Sequence, residues 1–186
     1  MFGTTHQSAL VIIPPNDVWG PIQAIRRRRD PSFRRWMPHI NLLYPFVDPP
    51  LFEATAPAIE EACRRLTPFT VALAHFQRVR ARGGKYALWL APQPVEPIVE
   101  LQRALLQAVP ECTGKARFPG RFTPHLTMAR GAGKECADAL EKDLERQWEM
   151  LFFAVDRVHV ISRKQPLDDV FHLARTIPLG VSRGDD

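Results

Sequence analysis

Two segments, Arg35-Trp36-Met37-Pro38-His39-Ile40-Asn41-Leu42 and Arg121-Phe122-Thr123-Pro124-His125-Leu126-Thr127-Met128, share one pattern. It reads arginine, aromatic, any residue, proline, histidine, aliphatic, asparagine or threonine, aliphatic. Proline punctuates each segment just before the histidine, and the apolar alternation after it reads as a short strand. Matched words in matched surroundings point to a duplicated unit rather than coincidence.

Outward from these segments the element order also repeats. Before the first lie a predicted strand over Ser8–Ile13 and a helix over Asp17–Arg29 capped by Asn16 or Asp17. After the strand at His39–Tyr44 come a helix over Phe52–Leu66 and strands over Phe69–Val79 and Lys85–Ala91. A helix over Val95–Val109 leads to the second strand, His125–Ala129. A helix over Glu135–Trp148 and strands over Leu151–Arg163 and Val170–Ile177 complete the second unit. Tyr86 and Phe171 fall at nearly the same distance behind their histidines. The expected fold is α+β: a bilobal duplicated unit in which two antiparallel sheets flank a central cleft and the helices lie outside. All 186 residues form one domain of two pseudo-symmetric lobes, with residues 181–186 a flexible tail.

Composition narrows the class. The chain is 45% hydrophobic and 24% charged, as in an ordinary globular protein, and its net charge of +5 leans toward polyanionic partners. Cys63, Cys112 and Cys136 form no Cys-x-x-Cys pair and are odd in number, so neither a disulfide framework nor a zinc knuckle is expected. The apolar run Ala9–Ile13 stops at Pro14-Pro15, too short for a signal or a membrane span. The expectation is a cytoplasmic monomer without a membrane partner.

Side chains two apart on a strand share a face. Ile40, Leu42, Leu126 and Met128 are therefore assigned to the core, leaving His39, Asn41, His125 and Thr127 to face away. If the outward faces oppose one another, a cleft receives two imidazoles and two short hydrogen-bonding side chains. Imidazoles titrating near neutrality serve as acid and base on a phosphodiester, and Asn41 and Thr127 are donors for its non-bridging oxygens. A lone strand histidine is usually structural; recurrence in a duplicated frame is what lifts this pair. His6 is assigned to the amino-terminal tail, His75 and His159 to structural or rim positions, and His172 to solvent or the cleft wall.

The segments PHINLLYP and PHLTMAR resemble the doubled His-x-(Thr/Ser)-x motifs of the 2H phosphoesterase superfamily, which includes RNA 2′,3′-cyclic phosphodiesterases and 2′-5′ RNA ligase-like proteins. The resemblance spans about Ser8 to Leu179. It implies a bilobal α+β fold and a metal-independent phosphodiesterase without cofactor. The implied substrates are RNA ends carrying 2′,3′-cyclic phosphates, or small cyclic or 2′-5′-linked nucleotides. It carries acid–base roles onto His39 and His125 and phosphate binding onto Thr127. Asn41 departs from the usual Thr or Ser.

A second tier is open to two readings. Trp36, Phe122 and Tyr86 either stack a nucleobase at the cleft rim or pack in the core. Arg130 either holds a phosphate or lies on the surface. Arg26–Arg29 reads as a solvated helix end, and Arg78, Arg80 and Arg82 as a strand end and turn able to guide an RNA backbone. The alternatives to an enzyme of this kind are a non-catalytic RNA-end-binding domain and a metallohydrolase, the latter disfavoured because no carboxylate cluster neighbours either histidine.

Overall fold

Ser8–Ile12 is five residues of buried strand, and a strand buried on both faces must lie inside a sheet. The computed structural model, which describes residues 3–115, 122–164 and 168–180, bears this out. Ten strands and four α-helices occur among those residues: β1 Thr4–Thr5, β2 Ser8–Ile12, α1 Trp19–Arg29, β3 Ile40–Leu43, β4 Phe46–Val47, α2 Phe52–Arg64, β5 Phe69–Arg80, β6 Tyr86–Gln93, α3 Glu96–Ala108, β7 Leu126–Ala132, α4 Lys134–Gln147, β8 Leu151–Val155, β9 Arg157–Lys164 and β10 Asp168–Pro178. The architecture is α+β, as expected.

Eight strands form one curled sheet in the order β10-β9-β2-β3-β7-β6-β5-β8, and β1 pairs with β4 apart from it. All pairings are antiparallel. The expected two sheets are its two four-stranded halves, joined where β3 meets β7 through one registered pair, Ile40 opposite Leu126. The halves interlock. The β5–β6 hairpin that follows the first motif is built beside β7, whereas the β9–β10 hairpin that follows the second is built beside β2. The helices cross over likewise: α1 packs on β7 and α3 on β3.

The core lies on the helix side of the sheet. Ile40, Leu42, Leu126 and Met128 are buried there with Ile22 of α1, Ile59 of α2 and Ile98 of α3. Burying such a side chain is worth about 1.5–3 kcal/mol, so this alternation pins the register of both motif strands. On the opposite face, Ala9, Val11, Ile161 and Phe171 form a smaller cluster with Trp36, Met37 and Tyr44 against it.

Three expectations need correction. The single strand over Leu151–Arg163 is two, broken at Asp156: β8 pairs with β5 at one edge of the sheet and β9 with β2 and β10 in the other half. Buried residues shift phase across the break, from Phe153 and Val155 to Val158 and Val160, because the chain changes halves. That inserted strand also undoes the match of Tyr86 with Phe171. β6 adjoins its motif strand, whereas β10 is an edge strand. Finally, neither Asn16 nor Asp17 caps α1; the chain enters through a 3₁₀ turn at Asn16–Val18, and Trp19 Nε1 donates to Pro14 O at 2.7 Å.

Glycine matters at two places. Gly83 and Gly84, both at φ 70°, turn β5 into β6. Gly131, at φ 87°, falls where the β6–β7 register skips from Ala132 to Arg130, a bulge directly after Arg130. The expected tail at 181–186 lies outside the described residues.

Candidate active site

Pro38 and Pro124 withhold a backbone donor just before each motif strand, and each histidine folds back on the loop it leaves. His39 Nδ1 donates to Met37 O at 2.7 Å, and His125 Nδ1 donates to Thr123 O at 2.9 Å. A carbonyl can only accept, so Nδ1 carries the proton in both rings, and Nε2 bears the lone pair when the ring is neutral. The repeat thus reproduces one tautomer twice.

The antiparallel pair Ile40–Leu126 sets the two motifs side by side in opposite directions. With 40, 42, 126 and 128 buried toward the helices, alternation places His39, Asn41, His125 and Thr127 together on the other face, each half-buried. Asn41 Nδ2 lies 3.2 Å from His39 Nε2 and donates to its lone pair. The Asn41 Oδ1 atom is buried without a partner among the described residues.

Each imidazole is also stacked on an indole. Trp36 lies against His39 with ring centroids 4.6 Å apart, and is backed by Phe171 at 3.7 Å and by the edge of Tyr44 at 5.3 Å. Trp89 lies against His125 at 4.3 Å, and its Nε1 donates to Gln77 at 3.3 Å. Such stacking holds each ring in plane and withholds one face from water.

A buried charge relay reaches the site from α1. Arg26, 2% exposed, donates through Nη2 to Asp30 at 3.0 Å and to Trp36 O at 3.0 Å. Asp30 also accepts from Ser32 N at 3.0 Å and lies 3.8 Å from Arg130 Nε. Arg130 Nη2 in turn donates to Thr127 Oγ1 at 3.4 Å. This cationic setting shows in the imidazoles. Burial, with Arg26, Arg130 and His125 nearby and against the favourable Met37 contact, pushes His39 down to about 3. Burial first, then Arg130, lowers His125.

Of the residues singled out from sequence, the fold brings His39, Asn41, His125, Thr127, Arg130 and Trp36 together. It does not bring Phe122 or Tyr86. Phe122 packs against the main core, and Trp89 occupies the place its match with Trp36 would suggest. Tyr86 packs with Leu88, Ala129 and Ala137 on the helix side, with the Arg78 guanidinium 5.5 Å from its ring. Arg78 pairs with Asp138 and Glu141 of α4 rather than facing a cleft. Arg35 pairs with Asp169, and Arg121 lies outside the described residues.

The remaining histidines sit apart from this pair's hydrogen bonds. His6 packs edge-on to Tyr44, His75 lies 3.7 Å from Glu145, His159 shares a 3.0 Å hydrogen bond with Thr176, and exposed His172 meets Asp168 at 2.6 Å. Arg26 corrects the reading of Arg26–Arg29 as a solvated face: only Arg27, Arg28 and Arg29 are exposed. Arg26, Asp30 and Trp89 are site residues that sequence reading passed over. Their signals were an Arg–Asp pair at i,i+4 and a tryptophan out of phase with Leu88 and Leu90. Among the described residues, no group of three or more His, Cys, Asp or Glu could hold a metal ion, and no helix is long and apolar enough to cross a membrane.

The family model of the 2′-5′ RNA ligase superfamily matches residues 14–166, which include both motifs. The chain belongs to that superfamily. A Geobacillus kaustophilus protein provisionally named a phosphoesterase is 26% identical over 154 residues, covering 82% of this chain and 85% of its own. Solved structures share the fold. The Thermus thermophilus protein TT0787 superposes with a TM-score of 0.65 at 19% identity, over 95% of this chain and 99% of that one. Escherichia coli LigT, solved with 3′-AMP, gives 0.64 at 17% identity, over 94% and 98%. Membership supports phosphoesterase-type chemistry, and the matched residues include both segments that form the candidate site just described.

Proposed function

We propose that this protein is a metal-independent phosphodiesterase that hydrolyses 2′,3′-cyclic phosphate ends of RNA or 2′-5′-linked nucleotides, with His39 as base and His125 as acid. The observation that carries the reading is the pair of Nε2 atoms of fixed tautomer on one face of the joined motif strands, with Thr127 and Arg130 beside them. The nucleotide complexes of LigT are in keeping with such a substrate.

In the proposed step a water oxygen bonds to phosphorus as the bond to O2′ or O3′ breaks. The water proton passes to His39 Nε2, and His125 Nε2 gives its proton to the departing oxygen. Thr127 and Arg130 bind the non-bridging oxygens. The division of labour follows from the asymmetry of the motifs. His39 has its Nε2 lone pair marked by the Asn41 donor and its pKa pushed to about 3, so it is neutral over the working range. Among the described residues, His125 Nε2 has no such donor on it. A bound phosphodiester anion favours the imidazolium and raises both pKa values.

A panel of nucleoside 2′,3′-cyclic phosphates, cyclic-ended oligonucleotides and 2′-5′ dinucleotides, assayed in EDTA, tests the reading. Turnover of at least one class is expected. Tight binding of a 3′-phosphorylated oligonucleotide with no turnover of any member would identify an RNA-end-binding domain instead. A cytoplasmic, monomeric protein completes the proposal; three free thiols, two of them buried, suit a reducing compartment.

The pH profile has a definite sign. kcat/KM reports the free enzyme, which needs His39 neutral and His125 protonated. Its acid limb should therefore lie near 3 and its alkaline limb below the ordinary histidine value of 6.5. The kcat profile should be displaced to higher pH, because bound phosphate raises both groups. A kcat/KM bell centred above pH 7 would overturn the assignment. Asn41→Asp places an acceptor and negative charge against His39 Nε2, so the acid limb should move up by about 1–3 pH units. An unmoved limb would mean that residue 41 does not face the base.

A further inference from the structure

We infer that a groove between the end of α1 and the β7–α4 connection binds a second, unreacting phosphate of the substrate, so that the enzyme favours nucleotides carrying a phosphate besides the one it cleaves. The inference rests on the phosphodiesterase reading above and deepens it.

The groove encloses about 370 Å³ and is walled by Arg27, Arg28, Arg29 and Arg130, with Asp30 as its one carboxylate among the described residues. Asp30 is committed elsewhere: it is 5% exposed and takes Arg26 in a buried pair. Arg27 has its guanidinium 5.7 Å from the Phe33 ring. Neither Arg28 nor Arg29 has a carboxylate partner among the described residues. The groove is therefore cationic without internal neutralisation, and a focused positive field of this kind attracts phosphate. Closing arginines at the end of a helix also complement its dipole, but that accounts for charge on the helix and not for the fourth arginine arriving from β7.

A second concavity on the molecule has the opposite balance. It is larger, about 770 Å³, and also has cations, Arg78, Lys142 and Arg146. Asp138, Glu141 and Glu145 line it as well, and Arg78 is paired with two of them. It carries no net positive charge and shares no residue with the histidine site. The α1 groove shares Arg130, whose Nη2 reaches Thr127 at 3.4 Å. One arginine thus separates the groove from the place proposed for the reacting phosphate. The other groove walls, α1, Ala129 and α4, lie toward the helix side, so a nucleotide whose cleaved phosphate meets Thr127 on the opposite face would pass Arg130 to set its next phosphate among Arg27, Arg28 and Arg29.

The test compares three substrates: an RNA tetramer ending in a 2′,3′-cyclic phosphate, a nucleoside 2′,3′-cyclic phosphate, and the same nucleoside bearing a 5′-phosphate as well. The tetramer should exceed the bare nucleoside in kcat/KM by about tenfold at low salt. In R28E/R29E that advantage should vanish while the bare nucleoside changes less than about twofold, and the log–log salt slope for the tetramer should become shallower by about 0.7 for each phosphate no longer held. If the 5′-phosphate alone restores the tetramer's rate, the groove takes a terminal phosphate; if not, it takes a phosphodiester of a strand. Equal kcat/KM for all three substrates, or equal losses on all three in the variant, would overturn the inference while leaving the phosphodiesterase reading intact.

A binding readout separates occupancy of the groove from turnover. Cys136 lines the groove and is exposed, whereas Cys63 and Cys112 are buried with their thiols pushed up by burial to about 12 and about 11. The tetramer should slow alkylation of Cys136 in the wild type and not in R28E/R29E. Absence of protection overturns the groove even if no substrate is turned over.

Discussion

His125→Ala should lower turnover of a 2′,3′-cyclic phosphodiester by about 10²–10⁴-fold, and His39→Ala by a similar factor. The expectation comes from what each ring offers beyond packing: one Nε2 of fixed tautomer held at the shared face of β3 and β7. The double variant should lose far less than the product of the single losses, because acid and base act in one step. His125→Asn is the sharper probe. Its amide can still donate to Thr123 O, so the loop contact survives while the proton at Nε2 is gone. His172→Ala serves as control, since His172 is exposed and paired with Asp168 at the sheet edge. If His125→Asn kept more than about a tenth of wild-type turnover, the acid assignment would fall.

The second large effect is on stability. Asp30→Ala leaves the Arg26 guanidinium buried without its carboxylate, and removal of one partner of such a pair costs about 3–5 kcal/mol. Burial lowers the Arg26 pKa, and Asp30 is the group that opposes that shift. Asp30→Ala also releases Ser32 N and the Arg130 side chain, so phosphate affinity should fall with stability. The variant R26M/D30A removes both charges and should recover part of the loss, though Trp36 O then lacks its donor. Urea unfolding of the wild type and the two variants measures this directly. A loss below about 1 kcal/mol for Asp30→Ala would place the pair in water-like surroundings and leave the relay without an energetic role.

The fold was legible where burial dictates pattern. The alternation Ile40, Leu42 and Leu126, Met128 put four apolar side chains under the helices, and the same period exposed His39, Asn41, His125 and Thr127 on the other face. The proline before each histidine marked both strand starts. What escaped was long-range. Leu151–Arg163 reads as one continuous strand, and only the phase slip at Asp156-Arg157 records that the chain passes from one half of the sheet to the other. Strand exchange between the halves also breaks the correspondence of Tyr86 with Phe171, since equal spacing along the chain need not mean equal places in a sheet.

The site was legible to the same depth. Residues inside the motifs could be read because the repeat singles them out. Trp89 could not, since it reaches His125 from the neighbouring strand and has no counterpart in the repeat; the stacking partner of His39 lies instead within its own motif at Trp36. Arg26 was hidden in a run of four arginines, and only the packing of α1 on β7 distinguishes it from its exposed neighbours. The Asn41–Thr127 mismatch was visible from the start. Its consequence, a donor set on one Nε2 and not on the other, needed the side-chain geometry.

The central claim is that the two histidines direct water onto phosphorus without a metal. Hydrolysis of a 2′,3′-cyclic phosphate in ¹⁸O-labelled water and excess EDTA tests it most directly, with the product read by mass and ³¹P NMR. One ¹⁸O is expected in the product phosphomonoester, formed at a rate unchanged by the chelator and abolished in the double variant H39A/H125A. An unlabelled phosphate, or a reaction that EDTA stops, would contradict it.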